Sequence, residues 1–268
     1  MAEKKVTAVT LHEMKRRGEK ISMLTAYDYC TALLMDQSEI DVLLVGDSLG
    51  MVVMGEENTL SVTMDEMIHH TRAVARGVKR ALLIGDMPYM SYQLSPEQAA
   101  ENAGRFLKEG KAEAVKLEGG ADLVPHIKAI LRCGVPVMGH IGLTPQSIHQ
   151  LGGFKVQGRT EEAAARLVGE AKMLEEAGVF SVLLEAVPTD VGAKVTEELT
   201  VPTIGIGAGP GCDGQVLIFN DLVGLFERFV PKFVKKYANL APVMRDAFTQ
   251  FRDEVKSGEF PGPEHVYH

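Results

Sequence analysis

Two short apolar runs in this sequence each end in Gly-Asp. Residues 42–45 (Val-Leu-Leu-Val) lead into Gly46-Asp47-Ser48, and residues 81–84 (Ala-Leu-Leu-Ile) lead into Gly85-Asp86. A third apolar run carries Lys116 and Glu118 two positions apart, a fourth ends at His140, and a fifth, Phe-Ser-Val-Leu-Leu, ends at Glu185. A short continuous apolar run bounded by Gly reads as a strand buried on both faces, the signature of a parallel sheet. Ligands of βα folds bind at the C-terminal ends of such strands. The six ionisable groups Asp47, Asp86, Lys116, Glu118, His140 and Glu185, joined by the hydroxyl of Ser48, are therefore expected at one shared mouth. Charges gathered there are costly unless paired or bound to a metal. Asp47, Asp86 and Glu118 are oxygen donors of the kind Mg²⁺ prefers, with water and substrate completing its octahedron.

Each group also has a plainer use. A Gly-Asp after a strand is often only a turn or a helix cap; two of them beside Lys116-x-Glu118 argue for more. His140 alone reads as a hydrogen-bonded structural histidine, and Glu185 as a salt-bridge partner of Lys116. His69 and His70 are adjacent on a helix, face different ways, and read as surface. The methionines at 51, 54, 64 and 67 read as packing. Residues 209–214 match G-x-G-x-x-G, but the run that follows, from Val216, reads as strand where a dinucleotide site needs a helix. The same loop would lie between strands seven and eight, where barrels often hold phosphate.

The elements that must position these groups follow from pattern. Residues 9–17 form a short amphipathic helix closed by Gly18, and residues 21–28 the first strand. Helices are expected over about 29–37, from the capping box Thr63-x-x-Glu66 to Gly77, from Ser95-Pro96 to Gly110, and over 121–132, from Thr160 to Ala177, over 189–199 and over 241–256. Between them fall strands at 42–45, 81–86, 112–120, 135–140, 180–185, 201–206 and 216–221. Residues 141–159 read as a long Gly-rich loop that helps cover bound substrate. Eight strands alternating with helices imply right-handed βαβ crossovers and a parallel sheet. The expected fold is a single closed (β/α)₈ TIM barrel with a short N-terminal helix and a C-terminal helix; an open doubly wound sheet is the alternative.

Composition sets outer limits. The chain has 268 residues, 46% hydrophobic and 24% charged, enough for one large globular domain without staples. A formal net charge of −8 leaves no basic footprint for nucleic acid. No run of about eighteen apolar residues suggests a membrane span. The three cysteines, Cys30, Cys133 and Cys212, show neither disulfide nor zinc spacing, so a reducing cytoplasm is the expected compartment.

Seven stretches in order, Thr25-Ala-Tyr-Asp28, Val45-Gly-Asp-Ser-Leu-Gly50, Asp86-Met-Pro, Val115-Lys-Leu-Glu-Gly-Gly120, residues 139–147, residues 152–158 and residues 204–209 with Asp213-Gly-Gln215, resemble the ketopantoate hydroxymethyltransferase family. The resemblance runs from about Thr25 to His265. It implies a Mg²⁺-dependent barrel enzyme that moves a one-carbon unit from 5,10-methylenetetrahydrofolate to 3-methyl-2-oxobutanoate, giving 2-dehydropantoate. It implies metal positions at Asp47, Asp86 and Glu118, keto-acid contacts at Asp47, Ser48, Asp86 and Lys116, and the proton acceptor at Glu185. His140 is counted with the substrate-binding groups. The resemblance further implies a homo-oligomer, typically a decamer, with small-molecule partners only. Rival readings are another Mg²⁺-dependent barrel lyase acting beside a 2-oxo acid, a phosphate-binding barrel isomerase, and a non-catalytic barrel.

Overall fold

The computed structural model describes residues 4–268. In chain order the elements of the barrel are α1 (Ala8–Arg17), β1 (Ile21–Thr25), α2 (Tyr29–Gln37), β2 (Val42–Val45), α3 (Leu49–Val52), α4 (Met64–Ala75), β3 (Leu82–Asp86), α5 (Pro96–Arg105), β4 (Ala114–Glu118), α6 (Val124–Arg132), β5 (Val137–Gly142), α7 (Ile148–Leu151), α8 (Glu161–Ala177), β6 (Ser181–Glu185), α9 (Thr189–Glu198), β7 (Thr203–Ile206) and β8 (Gly214–Leu217). The strands form a closed barrel in sequence order, every pair parallel, with β8 returning to β1 through Ile21 opposite Gly214. This is the (β/α)₈ barrel expected from the alternation of apolar runs and capped helices.

Helix starts obey local chemistry. Thr63 caps α4 by accepting from the Glu66 amide, while the Glu66 carboxylate accepts from the Thr63 amide. Ser95 caps α5 ahead of Pro96, and Thr160 caps α8. Strands begin later than the apolar runs suggest, because Pro136 and Pro202 sit at the entrances. There their carbonyls accept from Val115 and Val182, and no amide hydrogen is required of them.

Side chains alternate across each strand, so every second residue faces inward. The inward residues near the strand starts are apolar: Ile21, Met23, Val42, Leu44, Leu82, Ile84, Ala114, Met138, Leu183, Ile204 and Val216 pack together. Val6, Leu11 and Met14 join them and close the floor of the barrel. Continuing in the same register, Leu82 and Ile84 are followed by Asp86, Ala114 by Lys116 and Glu118, Met138 by His140, and Leu183 by Glu185. The barrel is oil at its floor and charge at its mouth.

One expected element shifts, and the Gly-rich connection before it is a loop as expected. β8 is Gly214–Leu217, not 216–221, and α10 (Phe219–Leu222) takes up the rest of that run. The step from β7 to β8 contains no helix at all: residues 207–213 return to the start of β8 directly, and Asp213 accepts from the Ile21 amide. The glycines here serve close approach. A Cβ at Gly209 would lie 2.5 Å from the Thr189 side chain, and one at Gly211 2.8 Å from Ala193, so the return presses against α9.

The chain divides into two compact units after Ile218. The second unit holds α10 and α11 (Leu240–Ser257), the long C-terminal helix, one residue longer at each end than the expected 241–256. Among the described residues, no helix is long and apolar enough to cross a membrane.

Candidate active site

Asp47 stands two residues beyond β2, where the chain turns into α3. Its amide donates to Asp86 Oδ2 at 3.2 Å, tying the two Gly-Asp turns together. Asp86 Oδ1 accepts from Lys116 Nζ at 2.6 Å, and the same ammonium lies 3.6 Å from Glu118 Oε1. Across the next pair of strands Glu118 is in register with His140. The imidazole stands between two carboxylates, with Nδ1 3.6 Å from Glu118 and Nε2 3.4 Å from Glu185. Asp47, Asp86, Lys116, Glu118 and His140 are all buried, while Ser48 and Glu185 are partly open. Ser48 Oγ shares a hydrogen bond of 2.8 Å with the Tyr27 hydroxyl. The six expected ionisable groups are thus brought together. The plainer reading of Glu185 is not realised: among the described residues Lys116 pairs with Asp86 and Glu118, and the charged neighbour of Glu185 is His140.

The electrostatics follow from these distances. Burial, with the negative charges of Asp86 and Glu118 added, pushes the Asp47 carboxyl well above the usual range. Burial also raises Asp86, against the pull of Lys116. Burial would raise Glu118 as well, yet Lys116 and His140 outweigh it and hold that carboxyl low. For Lys116 burial works against the charge, but Asp86, Glu118 and Asp47 more than restore it and the ammonium stays protonated. Burial and Lys116 oppose a charge on His140, and the contacts with Glu118 and Glu185 reverse them, raising it to about 9.

Three buried carboxylates therefore face one ammonium and one imidazolium, and Asp47 carries the unrelieved share. A hard cation with oxygen preference fits that surplus. Among the described residues no three His, Cys, Asp or Glu side chains close into a ready cage. Mg²⁺ does not need one, since it is usually bound by one or two carboxylates with water and substrate oxygens. Asp47 and Asp86 meet that requirement, with Glu118 behind them.

Several placements differ from the sequence-based expectation. Residues 141–159 are not structureless: a 3₁₀ turn at Pro145–Ser147 and the short helix α7 lie within them. That turn puts Gln146 into the site, where its amide side chain donates to Asp47 Oδ2 at 2.9 Å. Tyr92, fully buried, joins it from the loop after β3. Neither residue carries charge, so no pattern of ionisable groups singles them out, although Gln146 lies inside the quoted stretch 139–147. His70 is not simply surface: its Nδ1 lies 2.7 Å from the Tyr27 carbonyl.

Comparison with known proteins agrees with this geometry. The sequence profile of the family described as ketopantoate hydroxymethyltransferase matches residues 5–263. The chain is 64% identical over 248 residues to the 3-methyl-2-oxobutanoate hydroxymethyltransferase of Syntrophobacter fumaroxidans, covering 92% of this chain and 88% of that one. It is 56% identical to the protein of that name from Syntrophus aciditrophicus, covering 98% and 97%. Among solved structures, phosphonopyruvate hydrolase in complex with oxalate and Mg²⁺ superimposes with a TM-score of 0.64 at 13% identity, covering 97% of this chain and 93% of that one. The 2,3-dimethylmalate lyase, a member of the PEP mutase/isocitrate lyase superfamily, gives 0.60 at 15% identity, with 97% and 91% covered. Those two likenesses establish the barrel alone. The profile match, the close relatives and the charged mouth agree, and the chain belongs to the ketopantoate hydroxymethyltransferase family of enzymes.

Proposed function

We propose that this enzyme takes the one-carbon unit of 5,10-methylenetetrahydrofolate and joins it to C3 of 3-methyl-2-oxobutanoate, with water supplying the hydroxyl, to give 2-dehydropantoate. The observation that carries this reading is the buried group Asp47, Asp86, Lys116 and Glu118 with Glu185 at its open edge. Asp47 and Asp86 would hold Mg²⁺, with Glu118 acting mainly through a water. When bound, the cation supplies Lewis acidity that lowers the cost of negative charge on the keto oxygen.

The chain's own residues do the rest. Lys116, held protonated and fixed against Asp86, adds positive charge beside the developing oxyanion. Ser48, Asp47, Asp86 and His140 line the place where a small 2-oxo acid binds. Glu185 is the partly open carboxylate of the cluster, free of any lysine, and accepts the C3 proton. His140, within 3.4 Å of it, holds its carboxylate in place. The carbanion carbon of the substrate then attacks the folate methylene. Residues 141–159, with Phe154 and Val156 exposed beyond α7, help to cover the mouth.

Assembly as a homo-oligomer is part of the same reading. It is supported by the resemblance and by the exposed apolar side chains of α11. So is a cytoplasmic setting, which the three free cysteines suit.

The test is exchange of the C3 proton of 3-methyl-2-oxobutanoate in deuterated water, without folate. Glu185→Gln keeps the shape and removes the base. Binding of keto acid and Mg²⁺ should persist while exchange falls by about 10²–10⁴-fold. Near-normal exchange in that variant would falsify the assignment of the base.

A further inference from the structure

Gln146 has no part in the chemistry above, yet it touches the cluster at two points. It sits in the 3₁₀ turn after β5 and is 5% exposed. Its side-chain Nε2 donates to Asp47 Oδ2 and to the Met87 carbonyl, both at 2.9 Å. Its Oε1 accepts from the Tyr92 hydroxyl at 2.7 Å and from Gln93 Nε2 at 3.1 Å. Its main-chain amide donates to Glu118 Oε2 at 3.0 Å.

These partners leave the carboxamide one orientation. A primary amide has two N–H donors and two acceptor lone pairs, and all four are used here. Turned over, its oxygen would face Asp47 Oδ2 and the Met87 carbonyl, two acceptors, and its NH₂ would face that of Gln93. Tyr92 reinforces the choice. Its hydroxyl accepts from the Glu118 amide at 3.1 Å, and its single proton has two acceptors in reach, the Glu118 carbonyl at 3.0 Å and Gln146 Oε1 at 2.7 Å, of which Gln146 is the nearer. Burial, with Glu118 nearby, keeps the phenol protonated and hence a donor. The chain of bonds runs from Tyr92 through Gln146 to Asp47, and from the backbone of the same turn to Glu118.

The consequence falls on the carboxylates. Asp47 Oδ2 is occupied by the amide, whereas no hydrogen bond to Oδ1 is found among the described residues. Glu118 has Oε2 occupied in the same way, leaving Oε1 toward Lys116 and His140. A carboxylate pinned at one oxygen presents the other in a fixed direction, which a cation site with few protein ligands needs.

We propose that Gln146 is a positioning residue for this enzyme: it fixes Asp47 by its side chain and Glu118 by its backbone, so that the turn after β5 completes the divalent-cation site. This rests on the reading that Asp47 and Asp86 bind such a cation. Tyr92 acts behind Gln146 by holding its amide in the productive orientation.

The experiment titrates Mn²⁺ into the full-length protein with 3-methyl-2-oxobutanoate present, reading free Mn²⁺ by electron paramagnetic resonance. Four proteins are compared: wild type, Gln146→Met, Tyr92→Phe and the double variant, with Asp47→Asn as control and thermal melts to establish folding. Gln146→Met should bind Mn²⁺ about 10- to 100-fold more weakly, the range typical for groups that orient metal ligands. Tyr92→Phe should weaken it less. The double variant should be no worse than Gln146→Met, since Tyr92 works only through that amide. A side chain that merely fills space would lower the melting temperature and leave Mn²⁺ affinity unchanged. Wild-type affinity in folded Gln146→Met overturns the proposal by itself. Should Gln146→Met fail to fold, wild-type affinity in Tyr92→Phe overturns it. If wild type binds no Mn²⁺, or Asp47→Asn binds it equally well, the cation reading fails and this role falls with it.

Discussion

Glu118 and Asp221 are both buried carboxylates, and they are pushed in opposite directions. Glu118 is held low because Lys116 and His140 outweigh the cost of burial. Asp221, in α10, has an Oδ1 with no hydrogen-bond partner, and burial raises its carboxyl to about 6 against a weaker pull from Lys236. In the unfolded chain it titrates near 3.9. Folding therefore takes up a proton between those values, and the stability this group allows is fully present below about 4 and lost as pH rises through 6. Asp221→Asn removes the titration. The variant should be more stable than wild type at pH 7.5 by on the order of 1–3 kcal/mol, with the gain vanishing toward pH 4. Thermal melts of the two proteins across that range check it, and parallel curves would show that Asp221 is relieved in some other way. At the same scale, the charged members of the candidate site were legible in the sequence. Asp47 and Asp86 announce themselves by following Gly at the ends of apolar runs, and Lys116, Glu118 and Glu185 by being charges inside runs that are otherwise apolar. Gln146 and Tyr92 were not, because an uncharged amide and a phenol in loops break no pattern.

Elements decide whether those side chains arrive in register. Gly142, the last residue of β5, stands opposite Glu185 with φ of 95°, and a Cβ there would lie 2.4 Å from the Glu185 carbonyl oxygen. That oxygen also accepts from the Leu143 amide, so it cannot retreat freely. Gly142→Ala should cost about 1–3 kcal/mol of stability through its forbidden dihedral and the clash. It should also slow C3 proton exchange, because Glu185 moves with its own backbone. A variant that melts and exchanges as wild type does would remove this strand pair from the positioning of the base. Most elements followed from the sequence, since buried parallel strands are continuous apolar runs and helix starts carry caps. The exceptions have local causes. Gly214 has no side chain to enter a hydrophobic pattern, yet it pairs with both Ile21 and Ile204, so β8 begins earlier than the pattern starts. The turn that delivers Gln146 is three residues long, too short for any periodicity.

For the molecule as a whole, the surface of the second compact unit stands out. Met244, Phe248, Phe251 and Val255 recur at intervals of four, three and four along α11, one stripe of a helix, and Phe248 and Phe251 are 62% and 57% exposed. Aromatic side chains left in water in a row mark an interaction surface. If the protein assembles with copies of itself, Phe248→Glu with Phe251→Glu should shift it to a smaller species in light scattering, with its helix content kept. A wild-type protein already monomeric at micromolar concentration would rule the assembly out. The ring of strands has a consequence of another kind. β1 gains its second neighbour only when Gly214 reaches Ile21, so nearly the whole barrel must be synthesised before the cylinder can shut. Contacts so distant in sequence are slow to form. Until then β1 and β7 are open edges able to pair with other chains. The short, helix-free return of residues 207–213 shortens that interval: once β7 is in place, only seven residues separate it from the strand that seals the barrel.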